Sequence, residues 1–298
     1  MQSLWLIEGD KTYVNVTFWG VRGSIPTPGA DTQRWGGNTA CLEVRADGCA
    51  PLVLDCGTGA RQLGFKLMGE SQREVDMLFT HLHMDHVFGF PFFIPIYTPG
   101  YDVRVTVPSY SEEEAREKIA RYLNGTYHPT RLKDLPSQVT FHPIRAGESF
   151  RCGAYEVTGI SLNHPGGSLG YRITFDGKSV CYMTDSAPFA RPGEGIESGL
   201  EPLPAEKRVV EFLREADVVI YDTMYDLSEY LDKMTWGHSY PEYAAALCEA
   251  ANAKHLVLFH HRPNATDDDM DRMEARWLAY EPLRVSVARE GGTVSTEG

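Results

Sequence analysis

Val75-Asp76-Met77-Leu78-Phe79-Thr80-His81-Leu82-His83-Met84-Asp85-His86 is an apolar run of strand length that stops on a polar cluster. Three imidazoles and a carboxylate fall between His81 and His86. Neutral imidazole together with carboxylate oxygen suits divalent zinc, manganese or iron. In an extended loop, side chains two apart project to one side, so His81 and His83 can serve one ion. A change of direction after Met84 brings Asp85 and His86 to a second. The C-terminal end of a strand is where fixed chemistry tends to sit. Alone, this cluster leaves both ions short of ligands, so others must come from elsewhere in the chain.

Working outward, short β-rich runs bounded by Gly, Pro and Asp predict strands over residues 13–19, 40–45 and 52–54, with a helix over 58–68. Further strands are expected over 155–160, 171–175 and 179–183, the last two joined by the hairpin signal Asp176-Gly177. A helix over 205–215, a strand over 218–221, a helix over 241–252 and a strand over 256–259 complete the pattern. Segment 108–142 differs: Ser111 with Glu114 opens a mixed-charge helix that Asn124-Gly125 stops. It is expected to be a surface excursion, a lid over a pocket, or an element reaching across a subunit interface. With no repeat, low-complexity tract or linker, residues 1–298 read as one domain. Two strand-rich halves with helices interposed predict an α/β fold of two sheets packed face to face, helices outside.

The 28 basic and 41 acidic residues give a formal charge of −13, a field that repels polyanions and disfavours extended nucleic-acid binding. No apolar run approaches the roughly 20 residues of a membrane helix. The opening MQSLWLIEGDK lacks the basic flank of a signal peptide. Six cysteines without a C-x-x-C pair suit thiols in a reducing compartment, so a cytoplasmic location is expected.

His81-Leu82-His83-Met84-Asp85-His86 resembles the H-x-H-x-D-H motif of metallo-β-lactamase fold hydrolases. The resemblance implies a four-layer αβ/βα sandwich, with two mixed β-sheets flanked by helices and a dinuclear site on the edge between them. It implies a third histidine for the first metal at His164, in Asn163-His164-Pro165, and a bridging carboxylate at Asp185, after Thr184. It also implies His260, after Phe259, on the second metal; strand alternation lets only one of His260 and His261 ligate, and the family register favours His260. Asp55-Cys56-Gly57-Thr58-Gly59 resembles the family's D-x-G-x-G turn, in which Asp55 would order the metal loop from behind its ligands. The full set is His81, His83, Asp85, His86, His164, Asp185 and His260 around two divalent ions, zinc first, with manganese or iron as alternatives.

Two ions roughly 3.5 to 4 Å apart can lower the pKa of a shared water and hold phosphoryl oxygens. What remains is to protonate the departing alkoxide. Trp236-Gly237-His238-Ser239, just before the helix at Pro241, offers His238 as that acid, with a capping or core histidine as the alternative. Asp85 and His238 are thus the residues assigned catalytic parts.

An H-S/T dipeptide before a helix, then a strand ending in His, resembles the phosphodiesterase branch of the family. Phe18-Trp19-Gly20-Val21-Arg22-Gly23-Ser24-Ile25-Pro26, Gly36-Gly37-Asn38-Thr39 and His164-Pro165-Gly166-Gly167-Ser168 look like bacterial and phage enzymes acting on cyclic mononucleotides or cyclic phosphates. The resemblance implies a small cyclic substrate and a homodimer. Ser24 and Asn38 are expected to hold Gly-rich turns, and His128 to be a surface histidine. The alternatives are a tRNA 3′-processing endonuclease and a non-catalytic binding module. Against tRNA, segment 108–142 balances Glu112, Glu113, Glu114, Glu117 and Asp134 with Arg116, Lys118, Arg121, Arg131 and Lys133, and so supplies little counterion release.

Overall fold

In the computed structural model, which describes residues 12–297, two seven-stranded sheets lie face to face. The reading of the N-terminus as lacking a signal peptide falls on residues outside those described. The first sheet comprises β1 (Val14–Gly20), β2 (Cys41–Ala46), β3 (Leu52–Leu54), β4 (Glu74–Leu78), β5 (Asp102–Pro108) and β6 (Gln138–Ile144). The second comprises β7 (Ser149–Cys152), β8 (Tyr155–Leu162), β9 (Ser168–Phe175), β10 (Lys178–Met183), β11 (Val218–Asp222), β12 (His255–Phe259) and β13 (Arg284–Val287). A last strand, β14 (Thr293–Ser295), returns to pair with β1. Strand order is β14-β1-β2-β3-β4-β5-β6 and β13-β12-β11-β10-β9-β8-β7. Each sheet starts as an antiparallel meander and ends in parallel strands, from β3 onward in the first and β10 onward in the second.

The parallel connections carry the helices: α1 (Ala60–Met68), α2 (Met84–Val87) and α3 (Glu112–Ala120) in the first half, α4 (Pro204–Leu213), α5 (Leu227–Asp232), α6 (Pro241–Ala250) and α7 (Asp267–Leu278) in the second. Three apolar layers hold the four structural layers together. Val16, Leu42, Leu54, Tyr171, Val180, Ile220 and Phe259 fill the space between the sheets. Leu63, Leu67, Phe79, Val105 and Ile119 seat α1 and α3 on the first sheet, and Val209, Leu213, Leu247, Leu258 and Trp277 seat α4, α6 and α7 on the second. This is the four-layer sandwich expected from the sequence.

Residues 171–183 form the expected hairpin, with Asp176 (φ 47°) and Gly177 (φ 75°) both left-handed at its turn. Three helices are shorter than expected. Residues 57–59 make a turn that leads into α1, with Gly59 already right-handed, and a Cβ at Gly59 would lie 2.2 Å from the Trp19 carbonyl oxygen. Glu215 (φ 52°) and Asn252 (φ 50°) turn left-handed and end α4 and α6 early. Segment 108–142 is narrower than read: Pro108 closes β5 and residues 138–142 lie in β6, so 109–137 connect these adjacent parallel strands, with α3 capped by Ser111, whose side chain accepts from the Glu114 amide. Among the described residues no helix is long and apolar enough to cross a membrane. The six cysteines are unpaired, and all but Cys49 are buried.

Candidate metal centre

Parallel strands end together, so the loops leaving β3, β4, β10, β11 and β12 converge on one sheet edge. Asp55, Asp185 and His260 each adopt a left-handed backbone just past β3, β10 and β12 (φ 57°, 56° and 65°). Such a conformation costs a non-glycine residue about 1–2 kcal/mol and is kept where the surroundings fix it.

Seven residues form two groups that share Asp185. His81, His83, His164 and Asp185 bring ligand atoms within 4.8 Å of one another, and so do Asp85, His86, Asp185 and His260. Asp185 divides its carboxylate between them. Oδ2 lies 3.6 Å from His81 Nε2 and 3.5 Å from His164 Nε2, while Oδ1 lies 3.0 Å from His86 Nε2 and 3.2 Å from His260 Nε2. Asp85 Oδ2 stands 3.3 Å from His86 Nε2 and 3.2 Å from His260 Nε2. It also accepts the Ser24 amide at 2.7 Å, presented by a left-handed residue (φ 63°).

The other nitrogens of these rings have partners that fix the tautomers. His86 Nδ1–H donates to Asp55 Oδ2 at 2.8 Å, and His164 Nδ1–H to the Gly237 carbonyl at 2.8 Å. His81 Nδ1–H donates to Thr80 Oγ1 at 3.1 Å, and that hydroxyl in turn donates to Asp55 Oδ2 at 2.9 Å. Asp55, fully buried, also accepts the Thr80 amide and the Tyr182 hydroxyl, at 2.8 and 2.9 Å. Each of these rings therefore directs an Nε2 lone pair at the centre. His81 Nε2 and His86 Nε2 are buried with no aligned hydrogen bond, a costly state that a cation removes. His83 Nδ1 and His164 Nε2 lie 3.1 Å apart, so an ion between them would take both lone pairs. The donor set fits divalent metal.

Charge is balanced within the cluster. Burial opposes a second proton on His86, but without an ion Asp185, Asp85 and Asp55 outweigh it and raise its pKa well above the usual value, so a cation at Nε2 would take the place of that proton. Burial pushes His81 and His164 down. Burial would raise Asp85, and His86 and His260 override it, holding the carboxyl well below its ordinary range.

His238 joins this group. Its Nδ1–H donates to Asp222 Oδ2 at 2.8 Å, and its ring stands 5.5 Å from His164 and 5.1 Å from His260 between centroids. Burial opposes charge there, but Asp222 prevails and raises the pKa to about 9. His238, Ser24, His83, Asp85 and Asp185 line one open cavity of about 400 Å³.

Asp222 escaped the sequence reading, although it follows Tyr221 as Asp185 follows Met183 and Thr184, the same strand-then-carboxylate signal. Its Oδ1 accepts the Met224 amide and its Oδ2 the Ser186 amide, which ties the two loops together. His261 points away, its Nε2–H donating to the Ala288 carbonyl at 2.7 Å. What separates it from His260 is the left-handed turn at His260, not strand alternation, because β12 has ended at Phe259. Asn38 bonds Glu290 and Thr58 and holds its turn. His128 is half-buried, edge-on to Phe92 at 5.4 Å, less exposed than expected.

A sandwich of two mixed sheets with a buried His/Asp cluster on its edge is the build of a metal-dependent hydrolase. Residues 51–261 match the family model described as "Beta-lactamase superfamily domain", and the chain belongs to that family. A ribonuclease Z from Picrophilus torridus is 25% identical over 310 residues, spanning 92% of this chain and 96% of that protein. Among solved structures, the metallo-β-lactamase fold protein YhfI from Bacillus subtilis superposes with TM-score 0.67 at 19% identity, covering 96% of this chain and all of that one (100%). Unliganded yeast PDE1 does so with TM-score 0.66 at 16% identity, covering 95% and 99%.

Proposed function

We propose that this chain is a phosphodiesterase that opens a small cyclic nucleotide or cyclic phosphate, with two divalent ions held by His81, His83, His164 and Asp185 and by Asp85, His86, Asp185 and His260. Zinc suits the imidazole-rich donors best. When bound, such ions supply Lewis-acid activation of water and charge neutralisation at the phosphoryl group.

The observation that carries the reading is His238, set on Asp222 and facing the cavity that Asp85 and Asp185 line. Hydrolysis breaks one P–O bond and leaves an alkoxide that needs a proton. The Asp222 carboxylate favours the protonated ring, so His238 can supply that proton, and the hydrogen bond at Nδ1 leaves Nε2 free for the leaving oxygen. The Ser24 amide fixes Asp85 beside the same cavity.

A small substrate is favoured by the charge of −13 and by segment 108–142, which is spent on joining β5 to β6 and has no basic excess. The similarity to ribonuclease Z along most of the chain favours a second reading, tRNA 3′ processing. A turnover panel of cyclic mononucleotides, cyclic dinucleotides and precursor tRNA, on protein of defined metal content, tests the two. The proposal expects cyclic mononucleotide hydrolysis to dominate, and His238→Ala to lower it roughly 10²- to 10⁴-fold with metal retained. Cleavage of precursor tRNA alone, or unchanged turnover in His238→Ala, refutes it.

A further inference from the structure

Beside the metal-binding loop lies a recess of about 570 Å³ walled by Met84, Phe88, Phe92, Tyr122 and Tyr127, with Arg121 at its edge. Large apolar side chains are seldom left uncovered together, yet Phe88 is 46% exposed, Phe92 53% and Tyr127 81%. Such a concentration marks a binding surface. The recess is continuous with the cluster. Met84 also lines the cavity of His83, Asp85, Asp185 and His238, while Arg121 and Tyr122 also line an adjoining cavity with His81 and His83.

The wall is fixed to the site it borders. The Tyr122 hydroxyl donates to the Leu82 carbonyl at 2.6 Å, inside the metal loop, and the His128 ring braces Phe92 edge-on. Arg121 forms no ion pair among the described residues, so its guanidinium is available to a ligand. The volume falls within the roughly 300–1,000 Å³ typical of small-ligand sites. A phosphate or bare sugar would meet apolar walls there and lose hydration without return. A flat heteroaromatic ring would stack on the aromatic faces and accept from the guanidinium.

We propose that this recess is the subsite for the base of the nucleotide whose phosphodiester lies on the His/Asp cluster. Three of its walls, Arg121, Tyr122 and Tyr127, come from the β5–β6 connection, which makes that segment the specificity element of the site. The proposal rests on the phosphodiesterase reading and refines it.

The test compares a 3′,5′-cyclic mononucleotide with the methyl riboside 3′,5′-cyclic phosphate, which has the same phosphodiester and no base, on metal-loaded enzyme. The measured quantity is the ratio of kcat/KM for the first over the second. Tyr127→Ala and Phe92→Ala, at exposed positions that do not threaten folding, are each expected to lower that ratio by about 5- to 100-fold. An unchanged ratio in both variants overturns the subsite. An unchanged ratio with a shift in sedimentation also overturns it, since the patch would then be covered by a second copy of the chain. If the unsubstituted enzyme turns over neither compound, the cyclic-nucleotide reading itself has failed, a result distinct from an unchanged ratio.

Discussion

Replacing Asp55 by Asn keeps shape and volume but removes one acceptor at a fully buried position. The Thr80 amide and hydroxyl, the Tyr182 hydroxyl and His86 Nδ1–H all converge on this carboxylate. If the amide oxygen stays with Thr80, the new NH2 faces Tyr182 and His86. Tyr182 can rotate its hydroxyl to accept, whereas His86 cannot; two N–H groups would confront each other at 2.8 Å. The ring escapes only by moving its proton to Nε2, which blocks the lone pair aimed at Asp85 and Asp185. Losing a charge-assisted hydrogen bond of this kind costs about 1.5–3 kcal/mol, or roughly 10- to 150-fold in affinity. The loss should fall mainly on the ion shared by Asp85, His86, Asp185 and His260. Competition against a chromophoric chelator, resolving two binding steps, should show one step weakened by that factor and the other much less. Two steps of unaltered affinity would refute the relay.

Gly237 has φ 88°, and a Cβ there would lie 2.4 Å from His164 Nδ1. Gly237→Ala should therefore displace His164 and lower metal content toward one equivalent; Gly177→Ala, equally left-handed (φ 75°) but open around its Cβ, pays only the backbone cost and should keep both ions, as elemental analysis will report. Burial holds His255 down at about 4 against a usual 6.5, so its contribution to stability is complete above pH 6.5 and lost as pH falls toward 4. Urea unfolding should lose about 3 kcal/mol over that interval on its account, and His255→Leu should flatten the slope. Arg22, fully buried, donates to the carbonyls of Gly36, Arg262 and Ala265. Arg22→Met should cost roughly 3 kcal/mol or more in urea unfolding, and Arg22→Lys should restore only part, since an ammonium cannot fork across those oxygens.

The central strands of both sheets were easier to read than the outer ones. The residue 80–86 cluster announced itself because ligand chemistry and strand pattern coincide there. The hairpin at Asp176-Gly177 was legible because its turn needs two left-handed residues, which few amino-acid pairs supply. Strands β5 and β6 went unread: Arg104 interrupts the first and His142-Pro143 the second, and their place in the sheet comes from pairing with each other and with β4. Helix α7 was missed because its first turn, Asp267-Asp268-Asp269, looks like a solvated loop until Thr266 is seen capping it. Asp222 was hidden for another reason. Its role depends on His238, sixteen residues away and reached only when β11 and the loop before α6 fold onto one edge.

His81, His83, Asp85 and His86 leave the first sheet, whereas His164, Asp185 and His260 leave the second. Any cation gripped between them rivets one half of the sandwich to the other. The unfolded chain has no such preassembled grip, so each ion at a thousandfold excess over its dissociation constant adds about 4 kcal/mol to the native state. Catalyst and fastener are thus one device, and metal starvation should cost the protein its resistance to unfolding along with its chemistry.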